Sequence, residues 1–320
     1  MTNEQAPPIT EPVLVLVGPT AIGKTTLSLA IATQFSCEII GLDSMQIYRH
    51  MDIGTAKPTT AERAIVPHHL IDIVDPSEEY NVARYVEEAL SACRDVISRG
   101  NTPLLVGGTG LYLKGLLSGL FEMPRIEQPL RQELRHRLEK EGRGVLFAEL
   151  ECCDPDSARR IHPNDTQRLL RALEIFQQTG RSWSDLLCSQ RHQPAFTRIL
   201  RIGLRCNREI LYQRINQRVE HMMTDGLLDE VEHLLAIGYG SELAPMQAIG
   251  YRHMINLLQG KWSREEALEL LARDTRRYAK RQMTWFSADR EINWFANDNQ
   301  HPVLECINTF LAHHNQEGTH

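Results

Sequence analysis

The pattern of hydrophobic positions in the first third of the chain indicates short buried strands that alternate with helices. Residues 13–17, Val-Leu-Val-Leu-Val, form an apolar run between a proline and a glycine, which is typical of a central strand buried on both faces. Similar short runs predict strands at residues 39–42, 70–74 and 103–106. Apolar residues recur at helical spacing in residues 25–35 and 81–99. This alternation predicts an α/β protein with a parallel sheet that is covered by helices on both faces.

The pattern changes after Pro124, where charged and amide side chains replace the apolar runs. Short helices and no strand are predicted there, at residues 129–141, 157–161, 165–179 and 183–187. Alternation at residues 198–205 then predicts a strand that rejoins the sheet. We therefore expect a helical insertion domain at residues 123–195, within a core formed by residues 10–122 and 196–290.

The rest of the core is predicted to be helical. Its helices are expected at residues 208–223, 227–237, 263–271 and 274–286. Residues 1–9 and 300–320 are polar and lack periodicity, so we expect flexible ends.

Composition narrows the class of protein. The chain of 320 residues has 42% hydrophobic and 24% charged residues, which excludes global disorder. No apolar run is long enough to span a membrane, and residues 1–12 lack the pattern of a signal peptide. The seven cysteines are scattered and form no CxxC pair, which favours reduced cysteines. We expect a cytoplasmic monomer.

The charge is distributed unevenly along the chain. The net charge of −6 argues against nonspecific coating of nucleic acid, yet residues 121–220 and 271–290 are net positive. Arginines outnumber lysines, 29 against 6, and arginine is the better ligand for phosphate and the better stacking partner for bases. The two blocks therefore fit RNA binding, although arginine-rich usage can also reflect genome composition alone.

Residues 18–25 match the phosphate-binding pattern G-x-x-x-x-G-K-[ST], between a predicted strand and a predicted helix. Backbone N–H groups and the helix N-terminus favour an anion there. Lys24 supplies a cation for the terminal phosphates, and the Thr25 hydroxyl can hold Mg²⁺. The predicted phosphate-binding residues are Gly18, Pro19, Thr20, Ala21, Ile22, Gly23, Lys24 and Thr25. The pattern leaves open whether the diphosphate belongs to a nucleotide.

Polar residues follow two further predicted strands. Asp43, in the run Asp-Ser-Met-Gln-Ile-Tyr, comes directly after one of them. Because parallel strands end at the ligand crevice, Asp43 should face the phosphate loop and could orient or deprotonate an acceptor. Thr109 lies in the run Gly-Gly-Thr-Gly after residues 103–106, where glycines permit close approach of a ligand. This strand lacks the aspartate of a conventional Walker B motif, which counts against an ATP-driven motor.

Three runs in the later chain combine cations with amide or aromatic side chains. They are residues 167–171 (QRLLR), 248–252 (AIGYR) and 280–286 (KRQMTWF). Such mixtures hold single-stranded RNA through phosphate contacts and base stacking, but each run alone could equally be a solvated helix face. Arg214 and Arg218, four residues apart, could reach the crevice or form surface ion pairs.

Taken in order, GPTAIGKT, DSMQIY, GTAKP, GGTGLY, HPNDTQRLLRALE, DGLLDEV, AIGYR and RRYAKRQMTWF resemble the motifs of tRNA dimethylallyltransferases. These prenyltransferases modify the adenosine on the 3′ side of the anticodon. The resemblance covers roughly residues 13–287 and implies a P-loop NTPase-like core with a helical insertion, dimethylallyl diphosphate as donor, Mg²⁺ as cofactor and the tRNA anticodon stem-loop as partner. A zinc module found in some relatives is absent, so the chain resembles the shorter bacterial type.

The resemblance also assigns roles to individual residues. Thr20 and Lys24 match contacts to the donor diphosphate, Asp43 matches the catalytic acid–base residue, and Arg218 matches an arginine at the leaving group. The catalytic residues implied are thus Thr20, Asp43 and Arg218. The residues that match tRNA-contacting segments are Asp43, Ser44, Met45, Gln46, Thr109, Arg131, Gln167, Arg168, Leu169, Leu170, Arg171, Gln247, Ala248, Ile249, Gly250, Tyr251, Arg252, Lys280, Arg281, Gln282, Met283, Thr284, Trp285, Phe286 and Ser287.

Two other functions compete with this hypothesis. A small-molecule or nucleoside kinase would use Asp43 to orient a hydroxyl acceptor, with the insertion as a lid, and a regulatory module would bind nucleotide without chemistry. Neither has a use for two distant basic and aromatic surfaces, so the runs QRLLR and RQMTWF favour the prenyltransferase.

Overall fold

The structure is a computed structural model that describes residues 7–119, 124, 126–189 and 194–317. Its strands are β1 (Val13–Val17), β2 (Cys37–Leu42), β3 (His68–His69), β4 (Thr102–Gly107), β5 (Ile199–Arg205) and β6 (Ile292–Ala296). Its helices are α1 (Lys24–Gln34), α2 (Thr60–Ile65), α3 (Val82–Ser98), α4 (Gly110–Ser118), α5 (Gln128–Glu141), α6 (Arg143–Cys153), α7 (Pro155–Arg160), α8 (Thr166–Thr179), α9 (Trp183–Ser189), α10 (Arg208–Thr224), α11 (Leu227–Ala236), α12 (Tyr251–Leu258), α13 (Arg264–Ser287) and α14 (His301–Glu317). The α/β class predicted from the sequence is confirmed.

The six strands form one parallel sheet in the order β3-β2-β4-β1-β5-β6. Every residue of β1 is buried, as the uninterrupted apolar run predicts. β1 pairs with β4 on one side and β5 on the other, so that Leu14 lies opposite both Leu104 and Leu200. Since all strands run in one direction, the segments that follow β1, β2 and β4 emerge at the same edge of the sheet.

The strand predicted at residues 70–74 is wrong. In this region the strand that pairs with β2 consists of His68 and His69, and the chain then turns away because Leu70 and Asp72 have φ angles of 59° and 57°. A left-handed backbone cannot continue an extended strand. The Ile73 N–H instead donates to the Ile47 carbonyl (2.8 Å) in the segment after β2.

The helix boundaries differ from the prediction mainly in the second half. The two helices expected at residues 263–271 and 274–286 are a single helix, α13, which begins at a capping box formed by Ser263 and Glu266. Several short elements were missed because each contains too few apolar residues to show a helical or an alternating pattern. They are α2, α4, α6, α12 and β6.

The expected flexible C-terminal end is also corrected by the structure. Residues 301–317 form α14, whose Val303 and Ile307 are fully buried against the core. Two apolar residues four positions apart provide one helical stripe, which was too short to recognise among polar neighbours. At the other end, Ile9 is buried and its N–H donates to the Ala195 carbonyl (2.8 Å).

Residues 119–193 form a compact unit separate from the unit that contains the sheet. The smaller unit consists of α5 to α9 around a leucine-rich core that includes Leu134, Leu146, Leu150, Leu169 and Leu173. It contains no strand among its described residues, in line with the absence of apolar runs in its sequence.

The cysteines and the lengths of the helices bear on two features of the described part of the chain, namely disulfide bonds and membrane spans. All seven cysteines are free, and Cys37 and Cys93 are buried. No described helix is both long enough and apolar enough to cross a membrane.

One carboxylate is buried inside the sheet. Glu38 on β2 is 3% exposed and accepts hydrogen bonds from Arg99 (2.7 and 2.9 Å), Asn101 (2.8 Å) and His69 (2.6 Å). The hydrogen bonds from Arg99 are the main reason why the pKa of Glu38 falls from its usual 4.5 to about 2. The ionised carboxylate therefore stabilises the fold.

We expect Glu38→Gln to lower the free energy of unfolding by about 1–3 kcal/mol at pH 7, because the amide satisfies fewer of the donors. Since the pKa of Glu38 is depressed on folding, its stabilisation is complete above pH 4.5 and is lost as the pH falls towards 2. Urea unfolding at pH 7 and pH 3 should show the difference between mutant and wild type shrinking at the lower pH. Glu87→Gln, at an exposed position of α3, serves as the control. An equal difference at both pH values would contradict this account.

Candidate functional site

A recess of about 740 Å³ opens at the edge of the sheet where β1, β2 and β4 end. It is lined by the phosphate loop from Thr20 to Thr25 and by the residues Asp43 to Gln46 that follow β2. Arg214 and Arg218 on α10 and Tyr278, Arg281 and Gln282 on α13 also line it. The structure thus brings together motifs that are more than two hundred residues apart in sequence.

The phosphate loop depends on backbone conformations that its sequence allows. Gly23, with φ 104°, is the N-cap of α1, and a side chain there would be strained. Ile22 fills the core with its side chain while its carbonyl accepts hydrogen bonds from Asn297 (2.9 Å) and Arg214 (3.4 Å). The loop is therefore held from the C-terminal part of the chain, and Arg214 contacts the loop rather than a surface carboxylate.

Lys24 lies folded against its own loop. Its Nζ donates to the carbonyls of Gly18 and Pro19, both at 2.9 Å. Burial lowers the pKa of Lys24 from 10.5 to about 8, with the Asp43 charge raising it and the Arg218 charge lowering it further. A hydrogen bond from the ammonium to a neutral carbonyl is weaker than one to a charged diphosphate oxygen, so an incoming anion can displace both carbonyls.

Asp43 and Arg218 share this environment with Lys24. Burial raises the pKa of Asp43, while hydrogen bonds from the Met45 and Gln46 N–H groups and the charges of Lys24 and Arg218 oppose the rise. Burial lowers the pKa of Arg218, and Asp43 opposes that shift. Each charge thus favours the ionised form of its opposite, and the Asp43 carboxylate interacts electrostatically with both cations.

The Asp43 carboxylate is oriented by its own loop. Oδ1 accepts hydrogen bonds from the N–H groups of Met45 (2.8 Å) and Gln46 (3.4 Å). Oδ2 has no hydrogen-bond partner among the described residues. Asp43 lines the recess. Asp43 can therefore accept a proton from a ligand without losing the contacts that fix it.

Two side chains near Asp43 hold neighbouring segments together. The Ser44 N–H donates to Thr109 Oγ1 (3.1 Å), which joins the segments after β2 and β4. Gln46 Nε2 donates to the carbonyls of Thr55 (3.2 Å) and Ala56 (3.1 Å). The amide of Gln46 is thereby fixed with its oxygen as the free end, which can accept a hydrogen bond from a ligand.

The segment that contains Gly54 is fixed by a residue that the sequence reasoning missed. Glu230 on α11 accepts hydrogen bonds from the N–H groups of Asp52 (2.9 Å), Ile53 (2.7 Å) and Gly54 (3.1 Å) and from the Tyr251 hydroxyl (2.6 Å). A side chain at position 54 would collide with the Tyr251 ring, 2.5 Å from the Cβ position. Glu230 thus supports the segment of Gly54, which lines the recess, and only its place in the DGLLDEV motif pointed to it.

Helix α13 presents two different faces. Lys280, Arg281, Thr284, Trp285 and Ser287 are exposed, and the Arg281 guanidinium lies 5.7 Å from the centre of the Tyr278 ring. Gln282 and Phe286 are 6% and 1% exposed, and Met283 is partly buried. The basic residues of the run KRQMTWF and its tryptophan thus lie on the exposed face of α13.

Four of the residues expected to contact RNA have buried side chains, and their contact with RNA stays a prediction. Leu169 and Tyr251 are fully buried, and Gln282 and Phe286 nearly so. Their side chains pack or form internal hydrogen bonds, and those of Tyr251 and Gln282 also line the recess. Each has exposed or recess-lining neighbours in sequence, which are Arg168, Arg252, Arg281 and Trp285.

The remaining residues of these runs lie at surfaces or in the recess. Gln247, Ala248, Ile249 and Arg252 line the recess, and Arg252 also forms an ion pair with Asp274 (2.6 Å). Gly250 has φ 98° and precedes α12. The backbone there turns sharply, as the glycine allows.

The basic residues of the insertion form ion pairs within their own unit. Asp165 caps α8 by accepting a hydrogen bond from the Arg168 N–H (3.1 Å). Gln167 and Arg168 are exposed, while Leu170 is partly buried. Arg171 and Arg131 both lie near Glu174, at 3.3 and 4.0 Å. These ion pairs leave most of each guanidinium's donors unused.

The residues of the recess fit a Mg²⁺ ion that is held mainly by its substrate. Among the described residues, no three His, Cys, Asp or Glu side chains form a metal-binding cluster. Thr25 and Asp43 nevertheless provide oxygen atoms beside the phosphate loop. Mg²⁺ is commonly bound through one or two protein oxygens together with phosphate oxygens and water, so this donor set suits it.

Family models match most of the chain. One described as IPP transferase matches residues 46–289, and one described as isopentenyl transferase matches residues 11–67. A tRNA dimethylallyltransferase from Desulfotalea psychrophila is 52% identical over 303 residues, which cover 95% of this chain and 96% of that protein. Another, from Thermotoga petrophila, is 46% identical and covers 88% of this chain and 92% of its own.

Solved structures are similar as well. A full-length tRNA isopentenylpyrophosphate transferase from Bacillus halodurans is 39% identical with a TM-score of 0.72, over 97% of this chain and 100% of that one. A eukaryotic dimethylallyltransferase, described as acting on tRNA, is 33% identical with a TM-score of 0.75, over 90% of this chain and 74% of its own.

Proposed function

The chain belongs to the tRNA dimethylallyltransferase family, and we propose that it transfers a dimethylallyl group from dimethylallyl diphosphate to the exocyclic N6 of the adenosine next to the anticodon on its 3′ side. The observation that carries this proposal is the recess in which a phosphate loop, Asp43 and Arg218 meet a helix with an exposed basic and aromatic face. We place the reaction in the bacterial cytoplasm, where family relatives meet tRNA.

The phosphate loop suits a diphosphate leaving group. Loop N–H groups, Lys24 and Arg218 surround the place where negative charge grows as the bond between C1 and the diphosphate oxygen breaks. The electron pair of that bond leaves with the diphosphate. Thr25 would hold Mg²⁺ together with the diphosphate, and the ion would then supply further charge neutralisation.

Asp43 suits the acceptor side of the reaction. The N6 amine of adenine is a poor nucleophile because its lone pair is delocalised into the ring. Asp43 Oδ2 can accept a hydrogen bond from N6 and take its proton as N6 forms the bond to C1. The base must leave its stack to reach the recess, and contacts with the protein offset that cost.

A labelling experiment separates this function from a kinase. The chain is incubated with unmodified tRNA and dimethylallyl diphosphate labelled in the dimethylallyl group, and in parallel with ATP labelled in the γ-phosphate and small hydroxyl acceptors. We expect label in RNA only from the first donor. Phosphate transfer without prenyl transfer would support the kinase and overturn the proposal. RNA mass spectrometry of a deletion strain and its parent then identifies the modified tRNAs.

RNA contact by the exposed face of α13 can be tested through salt dependence. We expect Arg281→Ala to lower the affinity for all substrate RNAs alike, because a phosphate contact carries no sequence information. Loss of one phosphate contact should also reduce the slope of log affinity against log salt by about 1. Binding titrations at several salt concentrations, with cognate and base-substituted stem-loops, measure both effects. Arg264→Ala is the control, since it removes the same charge about 25 Å away along the same helix. Loss of base preference in Arg281→Ala would show base recognition instead.

A further inference from the structure

Gln282 joins the phosphate loop to the segment after β4. Its Oε1 accepts a hydrogen bond from the Thr20 N–H (2.9 Å), and its Nε2 donates to the Gly108 carbonyl (3.0 Å). The side chain is 6% exposed, so both bonds are shielded from water. The approach is close, because a Cβ at position 108 would lie 2.2 Å from Nε2. The amide is thus part of the loop's immediate support.

The same turn of α13 carries the residues proposed to hold RNA. Lys280, Arg281 and Thr284 are exposed, while Gln282 points into the protein between them in sequence. Arg281 and Gln282 both line the recess. A ligand that restrains the exposed face of this turn therefore also restrains the side chain that holds Thr20.

We propose that Gln282 is a positioning residue that couples RNA binding on α13 to diphosphate binding in the phosphate loop. This inference rests on the proposed function, since it requires the chain to bind both RNA and a diphosphate. Both ends of the Gln282 amide are bonded within the protein, which leaves neither for a direct hydrogen bond to RNA or diphosphate. It acts by holding the Thr20 end of the loop in register with the segment after β4, where Thr109 in turn holds Ser44 beside Asp43.

The physical basis is that each ligand orders a part of one connected structure. RNA bound to the exposed face of α13 reduces the motion of this turn. Because Gln282 lies on the same turn, its hydrogen bond then holds the Thr20 N–H more rigidly. A diphosphate that then binds the loop loses less conformational freedom. Because coupling between binding sites is reciprocal, a bound diphosphate must strengthen RNA binding by the same factor.

The test measures the affinity for pyrophosphate with Mg²⁺, in the presence and absence of an unmodified anticodon stem-loop. Pyrophosphate occupies the loop without allowing transfer. For the wild type we expect RNA to increase the affinity about 5- to 150-fold, the usual range of such coupling. Gln282→Met keeps the length of the side chain but removes both hydrogen bonds. The increase in pyrophosphate affinity caused by RNA should then fall below about 2-fold, while the affinity for RNA without pyrophosphate should be unchanged. Gln213→Met, at an exposed site on α10, is the matched control.

A second variant approaches the same contact from the other side and remains informative if Gln282→Met does not fold. Gly108→Ala places a Cβ against Gln282 Nε2 without changing α13, and it should also lower the coupling factor. Gly144→Ala, where a Cβ would meet nothing within 4 Å, is its control. A wild-type factor near 1, or a wild-type factor retained in Gln282→Met or Gly108→Ala, overturns the coupling role. Weakened RNA binding in Gln282→Met without pyrophosphate would make Gln282 an RNA contact instead. Absence of prenyl transfer by the wild type would instead overturn the proposed function.

Discussion

Replacing Asp43 by asparagine is expected to lower the turnover of prenyl transfer by about 10²–10⁴-fold, the usual contribution of a general base. Asparagine keeps an oxygen that can accept the Met45 and Gln46 N–H groups, so the loop after β2 should retain its shape. The amide cannot take the N6 proton. Single-turnover measurements with saturating donor and RNA isolate this step, and RNA affinity should change much less.

The pH dependence gives a second test of Asp43. Because burial raises its pKa, the wild type should lose activity as the pH falls through that raised value, when the carboxylate becomes protonated. The acidic decline should be missing from the residual activity of Asp43→Asn. Asp95→Asn, at an exposed position of α3, controls for the change of charge. Near-normal turnover in Asp43→Asn would remove Asp43 from the mechanism.

Lys24→Met is expected to lower kcat/KM for the diphosphate donor by about 10²–10³-fold, the cost of removing a group that stabilises developing charge. The wild-type pKa of Lys24 is about 8, so the free enzyme loses this charge as the pH rises above 8. Donor affinity should then decline at alkaline pH, because the diphosphate binds the protonated lysine. Isothermal titration from pH 7 to pH 10 measures this decline.

The control for Lys24 is arginine at the same position. Lys24→Arg stays protonated throughout this range, so its donor affinity should show no alkaline decline, whatever its absolute value. Protonation changes of the diphosphate donor affect its binding to wild type and Lys24→Arg equally, so they cancel when the two proteins are compared. Lys261→Met, at an exposed site after α12, should behave as the wild type. The same alkaline decline in Lys24→Arg would assign it to another group.

The parts of the fold that the sequence predicted are those in which one local pattern decides the structure. The buried strand β1, the phosphate loop after it and α1 were recognised because apolar residues, glycines and a lysine occur in a fixed order within a few residues. Asp43 could be placed at the crevice because parallel strands end there. In contrast, residues 70–74 are mostly apolar but do not form a strand, since Leu70 and Asp72 have a left-handed backbone and the segment bonds to the residues after β2.

The supporting residues of the site were not predictable in this way. Glu230 receives three backbone N–H groups from a segment about 180 residues earlier, and the Thr20 N–H bonds to a glutamine 262 residues later. Such partners depend on the tertiary fold, and nothing in their local sequence distinguishes them from surface residues. The same holds for the run KRQMTWF, which was assigned to RNA as a whole although helical geometry turns Gln282 and Phe286 inward.

The strand order has a consequence for how the chain folds during synthesis. β1 is made first, yet one of its two neighbours, β5, begins at residue 199, and the outer strand β6 begins at residue 292. One edge of β1 therefore stays unpaired while nearly two hundred residues emerge, and an exposed apolar edge invites pairing with other chains. The insertion lies within this delay and builds its core from leucines close together in sequence, so it can form early by fast local contacts. A segment that is compact before β5 is made shortens the effective loop between β1 and β5, and a shorter loop costs less entropy to close.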